Sequence, residues 1–464
     1  MLNLKWVVLF LAFVCSHAVE STVETGATRA PKNRWAYATI LSTDSFLLPA
    51  KVVAHRLRKL DKEIPFVIFA TQDVSRPTVL QLEEVGAVVR RIDKMDTPFA
   101  RDHPEPKFQY TKTRLWCHTE YTSIVHIDLD TLHVQPTPEL FQCGSFCASL
   151  RHSDMFNTGV FSLTPNNETC IDMIEASSRM ASYDGGDQGF FNTYFPEVKY
   201  APMFRPNTES INETAVSPLN SIQRLSAAYN FDVGMYYLSG RQLVQPKIIH
   251  YTLGPLKPWI WWSYPIFDMN WIWLEARKEM EAEFGHSVDM LAVVLCEVAF
   301  LAIIATAHMV LYLRPHKPRY AKDVEDDAAT RIGQREQSYI GFFMIAFAAG
   351  AAFVTTPDQL WPSHAWILFV VNTSTLLIFQ LTLYSRHRLN TNLPPSTAAQ
   401  AAIAVAGTVL LWWNITHCIS NHGTRYLFVI FAVAGILLFI NHTIKWLLFG
   451  RSCNQLRYFS LRKR

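Results

Sequence analysis

Apolar positions are distributed unevenly along the chain, and their pattern changes near residue 290. Between 29 and 286, charged, polar and turn residues interrupt every apolar run, as is typical of a folded soluble domain. From Met290 onward, long stretches of Leu, Ile, Val, Phe and Ala follow one another. The pattern therefore predicts a soluble front region and a membrane-embedded back region.

The start of the front region alternates between strand-like and helix-like patterns. Short β-branched runs at 36–41, 65–70 and 87–92 indicate strands, and apolar residues recur at helical spacing between them. This order predicts an α/β domain with a parallel sheet. Such domains bind ligands beyond the carboxyl ends of their strands, so the loop Ser42–Ser45 is a candidate nucleotide contact. An ordinary helix cap is the alternative for that loop.

The back region contains apolar windows that predict about five membrane spans. They lie at 290–313, 339–354, 366–383, 398–413 and 427–449. Lys and Arg are concentrated after the first and third windows and in the final tail, whereas the loop 355–364 has none. Because basic residues favour the cytosolic side, this alternation predicts a luminal front domain. The alternative is a soluble protein with an unusually apolar helical domain.

The N-terminus resembles a targeting segment. Lys5, a short apolar run and the small residues of a cleavage site predict a signal peptide over residues 1–18, with a retained anchor helix as the alternative. The expected domains are then a luminal domain over 19–286 and a transmembrane domain over 287–464 with a basic cytosolic tail. We therefore expect a multi-pass protein of the Golgi or endoplasmic reticulum membrane.

Several residues of the front region fit a luminal location. Asn167 and Asn212 each begin an acceptor pattern for N-glycosylation. The cysteines include no Cys-x-x-Cys pair that would indicate zinc or redox chemistry, and a local disulfide through Cys143 or Cys147 is expected. The formal net charge of +3 is too small to indicate a nucleic-acid partner.

Two carboxylates directly follow the apolar run Ser123–Ile127. Asp128 and Asp130 are two positions apart, and in an extended segment such residues point to one face. Two converging carboxylates suit a hard divalent cation, which neutralises charge on a diphosphate leaving group. A solvated turn is the alternative for this pattern taken alone.

Polar groups lie at the ends of other apolar runs as well. Asn157 and Gly159 open a strand-like run, and 184–189 is a polar, glycine-rich loop. His250 ends a β-branched run ahead of the loop Gly254–Trp259. Taken singly, a structural histidine or an ordinary loop explains each feature equally well. Together they predict a domain with polar groups collected at its strand ends.

With these motifs in this order, the region from about Trp35 to Trp262 resembles the glycogenin-like glycosyltransferases of family 8, which are retaining enzymes with a GT-A fold. The motifs are Thr39–Asp44, Tyr110–Trp116, Asp128–Asp130, Phe156–Gly159, Asp187–Gly189 and His250–Trp259. The resemblance implies an α/β fold, in which a GT-A (Rossmann-like) nucleotide-sugar-binding domain is followed by an α-helical transmembrane bundle.

The resemblance also implies roles for individual residues toward a UDP-sugar donor and Mn²⁺. The metal and diphosphate would be bound by Asp128, Asp130 and His250, with Lys257 and Gly254 on the phosphates. The uracil would be surrounded by Ile40, Leu41, Ser42 and Phe46, and the ribose or sugar contacted by Lys112 and Asn157. Asp187 and Gln188 would lie beside the anomeric carbon. Phe46 stands where glycogenin-type members have a tyrosine that stacks on the base. Asp187 is the closest candidate for a nucleophile, with orientation of the sugar as its alternative role.

The predicted spans distinguish the chain from glycogenin, which is soluble. They make it similar to the membrane-bound branch of plant glycogenin-like starch-initiation-type proteins, whose characterised activity transfers glucuronic acid to inositol phosphorylceramide. A lipid acceptor is therefore expected, and Asn372, Thr373 and Ser374 inside the third window would face a cavity or pair between helices. The tryptophan-rich segment 259–273 would lie at the membrane surface or pack within the domain.

Two other functions stay open at this point. The protein could be a luminal transferase that acts on glycan or protein, with its spans serving only as an anchor. It could also be a non-catalytic membrane scaffold with a relict sugar-binding domain, which the complete set of metal-motif residues disfavours.

Overall fold

The structure, a computed structural model, describes residues 34–98, 109–151, 153–206, 221–264, 266–286, 288–313 and 334–388, with isolated positions between 407 and 435. Within these ranges the front region is an α/β domain and the back region consists of long helices. The predicted signal peptide, the window 398–413 except Gly407 and most of the window 427–449 lie outside the described residues.

The α/β domain contains ten strands among its described residues. They are β1 (Trp35–Leu41), β2 (Phe66–Ala70), β3 (Val88–Arg91), β4 (Ser123–Ile127), β5 (Thr131–His133), β6 (Phe146–Leu150), β7 (Phe156–Leu163), β8 (Ile222–Leu225), β9 (Phe231–Asp232) and β10 (Ile248–His250). The helices of this domain are α1 (Leu47–Leu60), α2 (Arg76–Glu84), α3 (Asn167–Ser177), α4 (Asp187–Tyr194), α5 (Val233–Ser239) and α6 (Met269–Phe284).

The large sheet has the strand order β3-β2-β1-β4-β7-β6-β8. Strands β1 to β4 pair in parallel, as the alternating pattern predicts. Strand β7, whose direction the sequence pattern did not predict, runs antiparallel to β4 and β6. Residues 151–155 alone connect β6 to β7, whereas a parallel pair needs a crossover of about a dozen residues or more.

Apolar side chains fill both faces of this sheet. In β2, Phe66 and Ile68 belong to one core cluster, which also contains apolar residues of α1 and α2. Val67 and Phe69 belong to the other, which contains apolar residues of α3 and α4. Since successive side chains of a strand point to opposite faces, a run without polar interruption is required where helices cover both sides.

A small sheet joins the carboxyl end of β4 to a later part of the chain. Its strand order is β5-β10-β9, with β10 antiparallel to β5 and parallel to β9. The pairing sets His250 opposite Thr131, and Tyr251 N donates to Asp130 O at 2.8 Å. It therefore brings His250 next to the carboxylates that follow β4.

Two disulfides connect the cysteines of the α/β domain. The local bridge expected through Cys143 or Cys147 is confirmed as Cys143–Cys147. A second bridge, Cys117–Cys170, links residues 53 positions apart and ties a 3₁₀ segment, Gln109–Cys117, to α3. Both bridges are chemically suited to an oxidising compartment.

The back region forms the helices α7 (Met290–Leu313), α8 (Gln334–Thr355) and α9 (Pro362–Arg388). Of the described helices, α7 and Pro362–Arg386 of α9 are long and apolar enough to cross a membrane, by length and composition. The apolar part of α8, Tyr339–Thr355, is shorter. The predicted number of spans stays a prediction.

Asn372 of α9 and Trp261, which precedes α6, pack inside the protein. With its amide nitrogen toward α7, Asn372 donates to both carboxylate oxygens of Glu297 at 2.9 and 3.2 Å. This favours pairing between helices over a cavity for Asn372. Trp261 is buried, and its ring lies 4.9 Å from that of Trp366 and 5.6 Å from that of Phe353. For Trp261, these contacts favour packing, one of the two alternatives that the sequence left open.

Candidate active site

Three predicted metal ligands converge where β4, β5 and β10 meet. One ligand atom from each of Asp128, Asp130 and His250 lies within 4.8 Å of the other two. His250 Nε2 is 3.3 Å from Asp130 Oδ1. Two carboxylates and an imidazole form a donor set that fits a divalent cation such as Mn²⁺.

Lys257 lies on the same carboxylate. Its Nζ donates to Asp130 Oδ2 at 2.7 Å and to Tyr251 O at 2.6 Å. Burial raises the pKa of Asp130, but the charges of His250 and Lys257 outweigh burial and hold that pKa well below its usual range. The Asp130 carboxylate is therefore ionised and able to accept a cation.

Lys112 bridges two carboxylates, of which Asp187 is buried and Asp128 is partly buried. Its Nζ lies 2.9 Å from Asp128 Oδ1 and 2.9 Å from Asp187 Oδ2. Burial lowers the pKa of Lys112, but the charges of Asp128 and Asp187 raise that pKa by more than burial lowers it. The net shift is upward, so the Lys112 side chain is charged. Asp187 Oδ2 also accepts from Thr158 Oγ1 at 2.7 Å. Because Asp187 is buried and held by two donors, the geometry favours an orienting role over a nucleophilic one.

A chain of amides orients the ring of His250. The backbone N–H of Gly159 donates to Asn157 Oδ1 at 2.9 Å. The other terminal atom of the Asn157 side-chain amide is therefore the nitrogen, Nδ2. Asn230 Nδ2 also donates to Asn157 Oδ1, at 2.8 Å, so Asn230 Oδ1 faces His250 Nδ1 at 2.8 Å. His250 must therefore donate from Nδ1, and its other nitrogen, Nε2, faces Asp130. A metal-bound histidine needs this arrangement, in which Nδ1 donates to an outer partner and Nε2 is the metal ligand.

The same network reaches Gln188. Asn157 Nδ2 donates to Gln188 Oε1 at 2.7 Å, and Gln188 Nε2 donates to the Tyr183 hydroxyl at 2.6 Å. Asn157, Asp187 and Gln188 therefore lie in one hydrogen-bonded arrangement with Lys112 and His250. This brings the residues predicted for the sugar region next to those predicted for the metal.

Two glycines of the motifs are required by close packing. A Cβ at Gly159 would lie 2.2 Å from His250 Cε1, and one at Gly189 would lie 2.3 Å from Ser182 Oγ. Any larger residue at Gly159 would therefore displace the imidazole. A Cβ at Gly254, in contrast, would meet no atom of the described residues within 4 Å, so the space beside Gly254 is open to a ligand.

The residues predicted for the base occupy the end of β1 and the following loop. Leu41 is buried in the core, so only its backbone is available to a ligand, and Ile40 is partly buried. Ser42 begins the accessible part of the loop, and the Phe46 side chain is 40% exposed. Phe46 meets Trp259 edge-to-face at 5.8 Å, which joins this loop to the segment after Lys257.

A cavity of about 270 Å³ opens beside the amide network. Asn157 and Asn230 are among its lining residues, and Arg151 and Arg241 are the cations among them. Arg151 Nε donates to Asp232 Oδ2 at 2.5 Å, whereas the Arg241 side chain lies in an exposed position. The rest of the lining is mostly apolar, with Leu150, Phe231, Met235, Tyr236, Leu243 and Val244.

No protein-family model matches the chain. Its sequence is 30% identical over 404 residues to PGSIP8 of Arabidopsis thaliana, which is named as a candidate glucuronosyltransferase, and the alignment covers 83% of this chain and 76% of that protein. The chain belongs to the glycogenin-like glycosyltransferases of family 8. This family 8 glycosyltransferase is also 31% identical over 235 residues to glycogenin-1 of Caenorhabditis elegans, over 48% of this chain and 50% of that one.

A further relative is inositol phosphorylceramide glucuronosyltransferase 1 of Arabidopsis thaliana. This glycosyltransferase is 34% identical to it over 261 residues, which are 55% of this chain and 48% of that protein, so the chain spans about half the relative's length. Among solved structures, the galactosyltransferase LgtC with donor and acceptor sugar analogues has a TM-score of 0.37 and 16% identity, over 52% of this chain and 95% of that one.

The sequence motifs did not reveal three residues that support the site of this family 8 glycosyltransferase. His126 Nε2 lies 3.0 Å from Asp128 Oδ1, and burial lowers the pKa of His126, so a neutral imidazole holds that carboxylate. Thr158 holds Asp187, and Asn230 orients His250. His126 interrupts an otherwise apolar strand, which is the one sequence signal that could have indicated it. Asn230 is 20 positions from His250, and nothing in its local pattern marks it.

Proposed function

We propose that this glycosyltransferase transfers glucuronic acid from UDP-glucuronic acid to a membrane lipid such as inositol phosphorylceramide, with retention of anomeric configuration and with Mn²⁺ as cofactor. The observation that carries the proposal is the convergence of Asp128, Asp130 and His250, with Lys257 on the same carboxylate. The relatives named as glucuronosyltransferases support the sugar, and the one named for inositol phosphorylceramide supports the acceptor.

The charges of the site suit a diphosphate. Asp128, Asp130 and Asp187 carry three negative charges and Lys112 and Lys257 carry two positive ones, which gives −1 in total. Asp128, Asp130 and His250 would hold a divalent cation, which would change this sum to +1 and would neutralise charge on the leaving diphosphate. The donor set, in which Asn230 holds His250 Nδ1 and Nε2 faces Asp130, fits such a cation.

The remaining residues bind and orient the donor. The loop Ser42–Phe46 holds the base, and Lys257 moves from Asp130 to the phosphates when the donor binds. Lys112 keeps Asp128 and Asp187 in place, and Asn157 and Gln188 hydrogen-bond to the sugar. Because these groups stabilise charge that develops on the departing diphosphate, catalysis is mainly electrostatic and needs no strong base.

The acceptor approaches through the cavity beside Asn157. Its mostly apolar lining suits a lipid, and the exposed Arg241 suits a phosphate on the lipid headgroup. The long apolar helices α7 and α9 suit a protein that stays in the membrane where such an acceptor is found.

The catalytic domain faces the lumen of the Golgi or endoplasmic reticulum in this proposal. The disulfides Cys117–Cys170 and Cys143–Cys147 favour an oxidising compartment. The connection between α8 and α9, which contains no Lys or Arg, contacts the catalytic domain through Gln359 and therefore lies on the same side.

A glycan or protein acceptor is the second candidate. It is favoured by the pairing of Asn372 with Glu297, which leaves Asn372 unavailable to a lipid headgroup. It is also favoured by the similarity to glycogenin-1. In that case the helices would serve only as an anchor.

The experiment is an assay of detergent-purified full chain against a panel of UDP-sugars, with and without a sphingolipid acceptor. The proposal expects UDP-glucuronic acid to give the highest rate of UDP release, and a sphingolipid product only when inositol phosphorylceramide is present. A product on glycan with none on lipid would support the second candidate instead.

A further inference from the structure

The connection between α8 and α9, residues 356–361, is anchored on the catalytic domain. Buried Arg277 of α6 donates from Nη2 to Gln359 O at 2.9 Å, and its guanidinium lies 5.2 Å from the Trp361 ring centroid. Leu360 is buried against Trp261. These contacts hold the backbone of Gln359 in a fixed place beside the catalytic domain.

From this position the Gln359 side chain reaches the loop after β1. Its Nε2 donates to Ser45 O at 2.9 Å. Because a carbonyl oxygen can only accept, the amide must present its nitrogen to Ser45. The two residues are 314 positions apart, so the bond joins the membrane region directly to the Ser42–Phe46 loop.

Within that loop, Asp44–Phe46 form a 3₁₀ turn that leads directly into α1, and the hydroxyls of Thr43 and Ser45 are hydrogen-bonded to each other. Thr43, Asp44, Ser45 and Phe46 are all exposed. Ser75 N donates to Asp44 Oδ1 at 2.9 Å, and Phe46 contacts Trp259 edge-to-face. The bond from Gln359 therefore holds a part of the loop that the catalytic domain leaves exposed.

We propose that Gln359 is a positioning residue for the donor: it holds the Ser42–Phe46 loop in its binding conformation, so the membrane region sets the affinity for the nucleotide. This inference rests on the proposed function of that loop. A loop ordered before the donor arrives loses less conformational entropy on binding. Losing the bond therefore weakens nucleotide binding and leaves the reacting groups, which lie on other elements, in place.

The test compares Gln359→Glu and Gln359→Leu with Asp358→Asn in the detergent-purified full chain. The glutamate keeps the length of the side chain but cannot donate while ionised, and the leucine removes the donor without adding charge. Asp358 is the exposed neighbour in the same connection and serves as the matched control. The measurements are the Kd of UDP in the presence of Mn²⁺, the KM and kcat for the donor sugar, and the melting temperature.

Both Gln359 variants are expected to raise the Kd of UDP and the donor KM by about 2- to 10-fold, the range that one hydrogen bond contributes. We expect kcat, the melting temperature and the Asp358→Asn control to stay near the wild-type values. Unchanged KM and Kd in both variants overturn the inference, as does an equal effect in Asp358→Asn. A fall in melting temperature and kcat with unchanged KM assigns Gln359 to folding and also overturns it. If the wild-type chain itself binds no UDP, the proposed function is wrong. This result differs from one in which the wild type binds UDP and the Gln359 variants bind it equally well, which overturns only the inference about Gln359.

Discussion

Replacing Asn230 with alanine tests how the site prepares His250 for a metal. The buried Asn230 accepts a hydrogen bond from His250 Nδ1 and donates one to Asn157, both at 2.8 Å. In the variant, His250 Nδ1 loses its acceptor in a buried position. The tautomer with its proton on Nε2 then becomes favourable, because Nε2 lies 3.3 Å from Asp130 Oδ1.

The expected loss of Mn²⁺ affinity comes from the proton shift that Mn²⁺ binding would require in the variant. Binding to Nε2 requires the proton to return to Nδ1, where it has no partner, and an unsatisfied buried donor costs about 1–3 kcal/mol. Loss of an outer partner of a metal-bound histidine typically lowers metal affinity about 10- to 100-fold. We therefore expect the Mn²⁺ concentration that gives half-maximal activity to rise by about 10- to 100-fold in Asn230→Ala, with partial recovery of activity at high Mn²⁺.

The assay is UDP release as a function of Mn²⁺ concentration. Asn230→Asp keeps an acceptor for His250 Nδ1 and should shift the half-maximal concentration less. Asn270→Ala removes another buried asparagine, which donates to Ser263 Oγ at 2.9 Å away from the metal ligands. It should lower stability without changing the Mn²⁺ dependence. An Asn230→Ala enzyme with the wild-type Mn²⁺ dependence would refute the argument.

Three further predictions concern the packing, the acceptor and the topology. Gly159→Ala should abolish measurable transfer, because its Cβ would lie 2.2 Å from His250 Cε1. Gly254→Ala should fold with an unchanged melting temperature, since its Cβ would meet no atom of the described residues within 4 Å. Equal activity in Gly159→Ala and the wild type would contradict the role given to Gly159. Arg241→Ala should raise the KM for a phosphorylated lipid about tenfold, because it removes a charge-assisted contact with the phosphate. Steady-state kinetics measure this change, and the KM for the donor should stay unchanged and serves as the internal reference. Asn167 is exposed at the start of α3 and should carry a glycan. Glycosidase treatment should remove this glycan, and Asn167→Gln should lack it. An unmodified Asn167 in a chain expressed in the secretory pathway would contradict the luminal location of the catalytic domain.

The elements that carry the site could be predicted because their signals are local. The apolar run Phe66–Ala70 and its neighbours identified the parallel half of the sheet, and the carboxylates after Ser123–Ile127 identified two candidate metal ligands. The antiparallel course of β7 could not be predicted in the same way, because it depends on the short connection 151–155 and on pairing with distant β4.

The supporting contacts could not be predicted because they join distant positions. Asn230 meets His250 through the small sheet, and Gln359 meets Ser45 only because Arg277 and Trp261 anchor the connection between α8 and α9. A polar residue in a loop gives no local sign of such a partner. The pairing of Asn372 with Glu297 could not be predicted either. These residues lie in two different apolar windows, and the sequence of one window does not indicate which polar residue of another window it contacts.

We infer that Asp128, Asp130 and His250 bind a divalent cation that is needed for transfer from a UDP-sugar. The most direct measurement is UDP release by the detergent-purified full chain with Mn²⁺, after removal of metal with a chelator, and in Asp130→Ala. We expect UDP release with Mn²⁺, loss of release in the chelator-treated enzyme with recovery when Mn²⁺ is added, and no recovery in Asp130→Ala. Full release by the chelator-treated enzyme or by Asp130→Ala would contradict it.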